Sequence, residues 1–278
     1  MITRLLLALD DTPASHEARR LAIALAKANQ ARLGAIAVID TPWITRPMAT
    51  GIGGSAYKVQ MEMDALRRAH QQSAAALAAL RAAAAEAGVA CEARQQEGEP
   101  AGCIEAEATT SDLLVLGRNA TFFGEEPESG VSETVLGLLE RNPRPLLLAP
   151  ERPLASDSIL VAFDGSLPAS RSLHMLALLG LAAGRQGRGL SIAEEAGLAA
   201  ARAQAAAALL RAHGAVAEPA AVTSSADPAE LIMGQAQASG AGIVAMGAYG
   251  HRGLREIFFG SCTRRLLQEC GAALCVHH

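Results

Sequence analysis

A chain that repeats itself must bury the same kind of core twice, and this 278-residue sequence repeats itself once. Residues 3–9 (Thr-Arg-Leu-Leu-Leu-Ala-Leu) form an apolar run that ends at Asp10. Residues 158–163 (Ser-Ile-Leu-Val-Ala-Phe) form another, ending at Asp164. Turn-like stretches follow, Asp-Thr-Pro-Ala-Ser at 11–15 and Gly-Ser-Leu-Pro-Ala-Ser at 165–170, and then helical patterns over 14–29 and 169–183. An uninterrupted apolar run bounded by turn residues reads as a strand buried on both faces, as in a parallel sheet.

The later part of each copy repeats too. Asp112-Leu-Leu-Val-Leu-Gly117 matches Ala241-Gly-Ile-Val-Ala-Met-Gly247, both strands running into a glycine. Helical segments from Pro100 and Pro228 precede them, with proline where a helix's first turn tolerates it. Closing strands fall at Pro145–Ala149 and Ala273–Val276. Strands alternating with helices mean βαβ units, a parallel sheet and right-handed crossovers. The polar, proline-containing stretch 150–157 divides the chain into domains 1–151 and 152–278. Copy one is longer, with a loop at 40–57 and a long helix to Ala87. Copy two has the glycine-rich run 184–189 and a short second strand, Leu190–Ala193.

Composition narrows the function. Half of the residues are hydrophobic but only 3% are aromatic, so the core is built from Ala, Leu, Val and Ile, which excludes a disordered chain. A net charge of −4 argues against a nucleic-acid partner. Five cysteines without framework spacing read as reduced thiols. The first apolar run stops at Asp10, too soon for a signal peptide, and no stretch reaches the ~18 apolar residues of a membrane span. The expectation is a cytoplasmic protein with no membrane partner.

The candidate site lies in copy two. The strand ending at Met246 runs into Gly247-Ala-Tyr-Gly250, and after nine intervening residues Gly260-Ser261 opens a helix, giving the pattern G-x2-G-x9-G-S. Glycines let backbone amides approach an anion without a Cβ in the way. A helix N-terminus offers unpaired N–H groups and the positive end of a dipole. Ser261 can cap that helix and donate its hydroxyl to a phosphate oxygen. Ligands of open α/β sheets sit beyond the carboxyl ends of the strands, where Asp164 and Gly247 both fall.

These residues, Asp164 and the run 247–263, resemble the ATP-binding class of the universal stress protein family, over nearly the whole chain and as two tandem copies. The resemblance implies two tandem open parallel five-stranded sheets with helices on both faces, of the Rossmann-like adenine-nucleotide α-hydrolase type. It implies that Gly247, Gly250, Gly260 and Ser261 hold the phosphates of ATP, with Mg²⁺ or Mn²⁺ on them. It places Asp164 against the ribose or the cation, and a backbone group near Ile192 or Ala193 against the adenine. It also implies that the two copies pair through their last strands within one chain; whether two chains pair further is left open.

Copy one keeps the spacing and loses the chemistry. Gly117-Arg-Asn-Ala120 is followed after nine residues by Gly130-Val131, so Ala120 and Val131 replace the second glycine and the serine. Glu125, Glu126 and Glu128 lie between and would repel a triphosphate. The family favours glycine after the first aspartate, where this copy has Asp11. Copy one is therefore expected not to bind ATP.

Other constellations carry less. Cys262, Cys270, Cys275, His277 and His278 match no zinc spacing. The glycines at 51–54 lack the strand and helix of a dinucleotide turn. Neither lysine, Lys27 or Lys58, lies in a glycine loop, and no G-x-S-x-G or H-E-x-x-H occurs. The expected function is nucleotide-dependent regulation in a stress response. The alternatives are a slow ATP-hydrolysing enzyme and an interaction module that has lost its nucleotide.

Overall fold

The computed structural model describes residues 1–48, 54–124, 131–248 and 261–277. The chain divides into two compact units, Thr3–Arg141 and Met1–Ile2 with Asn142–His278. The first contains β1 (Arg4–Ala8), α1 (Pro13–Asn29), β2 (Arg32–Asp40), α2 (Thr41–Ile44), α3 (Ser55–Ala87), β3 (Cys91–Gly98), α4 (Pro100–Ala108), β4 (Leu113–Gly117) and α5 (Glu133–Arg141). Its strands run parallel in the order β3-β2-β1-β4.

The second unit contains β5 (Leu146–Ala149), β6 (Ile159–Ala162), α6 (Leu167–Leu178), β7 (Gln186–Ala193), α7 (Ala196–Ala212), β8 (Val216–Thr223), α8 (Pro228–Ser239), β9 (Ile243–Gly247), α9 (Ser261–Glu269) and β10 (Ala273–His277). The order is β5-β10-β9-β6-β7-β8, parallel throughout except that β5 is antiparallel to β10. The last strand of the first sequence copy thus belongs to the compact unit of the second. The fold is α/β, as the alternation of strands and helices requires.

The central strands are apolar and buried because helices cover both faces; all five residues of β4 are buried. Helix starts are written in the sequence. Thr12 and Ser166 accept the amides of Ser15 and Ala169, and Glu99 and Asp227 accept those of Ala101 and Ala229, each ahead of a first-turn proline. In α3 the buried residues Ala69, Ser73, Leu77, Leu80 and Ala84 recur at helical spacing.

Several sequence expectations need correction. The second strand of copy two covers Gln186–Ala193, twice the length expected from Leu190–Ala193. Its glycines pointed to a loop, but Gly189 serves packing: a Cβ there would lie 2.8 Å from Ala207 N on α7. The helix expected over 169–183 ends at Leu178, followed by turns in which Gly180 and Gly184 both take φ 73°. As the outermost strands, β3 carries polar residues rather than an apolar run, and β8 mixes Ala and Val with Glu218, Pro219 and Thr223. Pro219 is tolerated within β8 for the same reason. Among the described residues, no helix is long and apolar enough to cross a membrane.

Candidate functional site

In an open α/β sheet the crevice for a ligand opens where neighbouring strands send their connections to opposite faces. That point lies between β6 and β9 in the second unit and between β1 and β4 in the first, where both pairs run parallel in register. Asp164 and Gly247 stand at the carboxyl ends of the first pair, Asp10 and Gly117 at those of the second.

Asp164 is exposed, and its Oδ1 accepts the Ser166 amide at 2.9 Å, closing the turn into α6. No other described residue donates to this carboxylate. Gly165 holds the turn with φ 77°, and a Cβ on it would come within 2.8 Å of Arg202 Nε from α7. The exposed Ser261 begins α9. Burial, then the Asp227 and Asp164 carboxylates, push the neighbouring Cys262 thiol up to about 11. Arg265 anchors the same helix, reaching Asp227 at 2.5 Å and Glu230 at 2.9 Å. Structure thus brings Asp164, Gly247 and Ser261 to one end of the sheet. Gly250 and Gly260 lie outside the described residues. Ile192 lies inside β7, opposite Val222, and the residue just past the strand is Glu194.

Gly247 has a reason of its own. A Cβ there would lie 2.3 Å from Ala169 N and 2.4 Å from Pro168 C, inside the backbone of α6. On Gly117 it would lie 2.8 Å from Ser15 N of α1. Both glycines are set by the approach of a helix to a strand end, whatever else they contact.

The first repeat closes over the same place. Asp10 is fully buried. Its Oδ1 accepts from Thr12 N at 3.1 Å and Thr12 Oγ1 at 2.7 Å. Its Oδ2 accepts from Thr121 N at 2.6 Å and Phe122 N at 3.2 Å. Phe122 is itself fully buried, and its carbonyl accepts the Asp40 amide at 3.2 Å. Asp11 accepts from Gln72 Nε2 at 2.8 Å, and its carboxyl is pushed up by burial and by the adjacent Asp10. Sequence reasoning missed Phe122 and Asp40. The available signal was the pair Phe122-Phe123, two of only five phenylalanines, five and six residues past Gly117. The same spacing past Gly247 gives Arg252 and Gly253.

A tandem α/β protein with a strand-end crevice in each repeat is the class these features define. The model of the universal stress protein family matches residues 1–138 and 172–276, and the chain belongs to that family. Among solved structures, it is similar to a universal stress protein from Archaeoglobus fulgidus DSM 4304, at 18% identity and TM-score 0.65, covering 98% of this chain and 97% of that one. It is also similar to PA1789 of Pseudomonas aeruginosa PAO1, a protein of unknown function, at 18% identity and TM-score 0.56, covering 99% and 92%. No curated protein matches the sequence.

Proposed function

We propose that the second repeat binds ATP and that the protein acts as a nucleotide-dependent regulatory module of the stress response, with the first repeat taking no nucleotide. The single observation that carries this reading is the state of Asp164. It stands at the strand-end crevice, exposed, with one backbone amide on it among the described residues, while its counterpart Asp10 is buried under four donors. A carboxylate left open at the place where α/β sheets hold ligands is available to a ribose hydroxyl or to a divalent cation.

The residues fit the group. Ser261 offers a hydroxyl at a helix N-terminus suited to phosphate, and Asp164 offers the hard oxygen that Mg²⁺ or Mn²⁺ prefers. Gly250 and Gly260 would bring further amides to the phosphates. A bound cation would neutralise the phosphate charge, while Asp164 and Ser261 orient the nucleotide.

Isothermal titration with ATP and Mg²⁺ tests it. The expected result is one site per chain, lost in the Gly260→Ala/Ser261→Ala variant. Two sites would refute the assignment to one repeat. Absence of binding would leave a surface-interaction protein, and multiple turnovers lost in Asp164→Ala would make it an ATPase.

A further inference from the structure

The connection that leaves β4 runs back across the carboxyl ends of the strands instead of away from them. Thr121 and Phe122 donate their amides to Asp10, which follows β1, and the Phe122 carbonyl accepts from Asp40, the last residue of β2. Gly124 then lies so close to Asp40 that a Cβ on it would come 2.9 Å from the Asp40 Cβ. The segment therefore spans the crevice from β4 over β1 to β2, where a ligand of such a sheet would lie.

Its conformation is unusual. Phe122 and Phe123 take φ 50° and φ 63°, left-handed backbone that bulky residues avoid. Such backbone persists only where its surroundings over-determine it. Here that is done by a fully buried carboxylate, a strand-end amide and a fully buried ring. Asp40 is in turn held in place by the Trp43 amide, which it accepts at 3.0 Å.

We propose that Thr121–Gly124 is a built-in ligand of the first repeat: the Phe122 ring fills the space that a planar ring of a bound ligand would take, and Asp10 and Asp40 hold the segment there. The first repeat is then permanently filled, and its crevice is a cryptic site for a flat, uncharged aromatic molecule once the ring is removed. This goes beyond the assignment of ATP to the second repeat and stands whether or not that repeat binds it.

Amide exchange and thermal unfolding of the full chain test the proposal. In the wild type, the Thr121 and Phe122 amides are protected, and adding ATP with Mg²⁺ leaves their exchange unchanged. In Asp10→Asn they exchange at least about tenfold faster. Phe122→Ala lowers Tm by roughly 10 °C, as removal of a core aromatic does. Millimolar benzene recovers part of that loss, with no effect on the wild type. The proposal is overturned if the wild-type amides exchange as in an open loop, or if ATP slows them. It is equally overturned if Phe122→Ala melts unchanged, or if benzene fails to raise its Tm. The wild-type exchange decides the matter even where a variant fails to fold.

Discussion

Asp10 and Asp164 occupy the same position in two copies of one fold and live in different surroundings. Asp10 is sealed, with both oxygens shared among the amides of Thr12, Thr121 and Phe122 and the Thr12 hydroxyl. Asp164 is exposed and, among the described residues, accepts only the Ser166 amide, on one oxygen. The amide two residues on is kept in both copies because it closes the turn into the following helix. The remaining donors on Asp10 come from its own chain, whereas among the described residues Asp164 receives the Ser166 amide alone. A repeat can thus keep its fold and its aspartate while its crevice is filled from within.

The glycines teach the complementary lesson. Gly117 survives in the filled repeat because α1 leaves no room for a side chain there, as α6 leaves none at Gly247. Glycine at that position reports helix packing in both copies, and the distinction between the sites rests on the aspartates and on residues 121–124.

The sharpest way to break the comparison is to remove each carboxylate. Asp10→Ala strands buried donors and should cost about 3–5 kcal/mol in chemical denaturation. Asp164→Ala should cost under about 1 kcal/mol yet weaken ATP binding about tenfold or more in titration. Equal stability losses would show that the two positions do the same job.

Smaller effects should follow from Gly247→Ala and Gly117→Ala. The first should destabilise by about 3 kcal/mol and the second by less, because the closer clash is with Ala169. Denaturant midpoints measured side by side would show the order, and a harmless Gly247→Ala would mean that α6 is not locked to β9.

The smallest effect concerns the anchoring of α9. The Ala229 amide and then Arg265 hold the Asp227 carboxyl below its ordinary value of 3.8. A lowered acid contributes stability above that value and loses it as pH falls through the folded value. Arg265→Gln should therefore shift Tm by no more than about 2 °C at neutral pH, since the pairs are exposed. It should also flatten the loss of stability in melts carried below pH 4, where wild type and variant converge. An unchanged acid limb would show that Arg265 leaves Asp227 untouched.

Much of this architecture is readable from residues alone. The repeated apolar runs ending at Asp10 and Asp164 give the tandem α/β fold, and Thr12, Ser166, Pro100 and Pro228 mark helix starts where they occur. Strand β3 was hidden because it is polar, β8 because Glu218 and Pro219 interrupt its apolar residues, and half of β7 because its glycines serve α7. The filling of the first crevice was hidden for a different reason. It depends on the left-handed backbone of Phe122 and Phe123, which neither propensity nor periodicity encodes; Glu125, Glu126 and Glu128, on which the sequence expectation rested, lie outside the described residues.

We propose one repeat open to nucleotide and one filled by its own chain. Hydrogen exchange of the intact protein with and without ATP and Mg²⁺ tests it most directly. The account predicts slower exchange in the turn 164–166 and in the first turn of α9, with no change at 10–12 and 118–124. Protection of the first repeat by ATP, alone or together with the second, would contradict it.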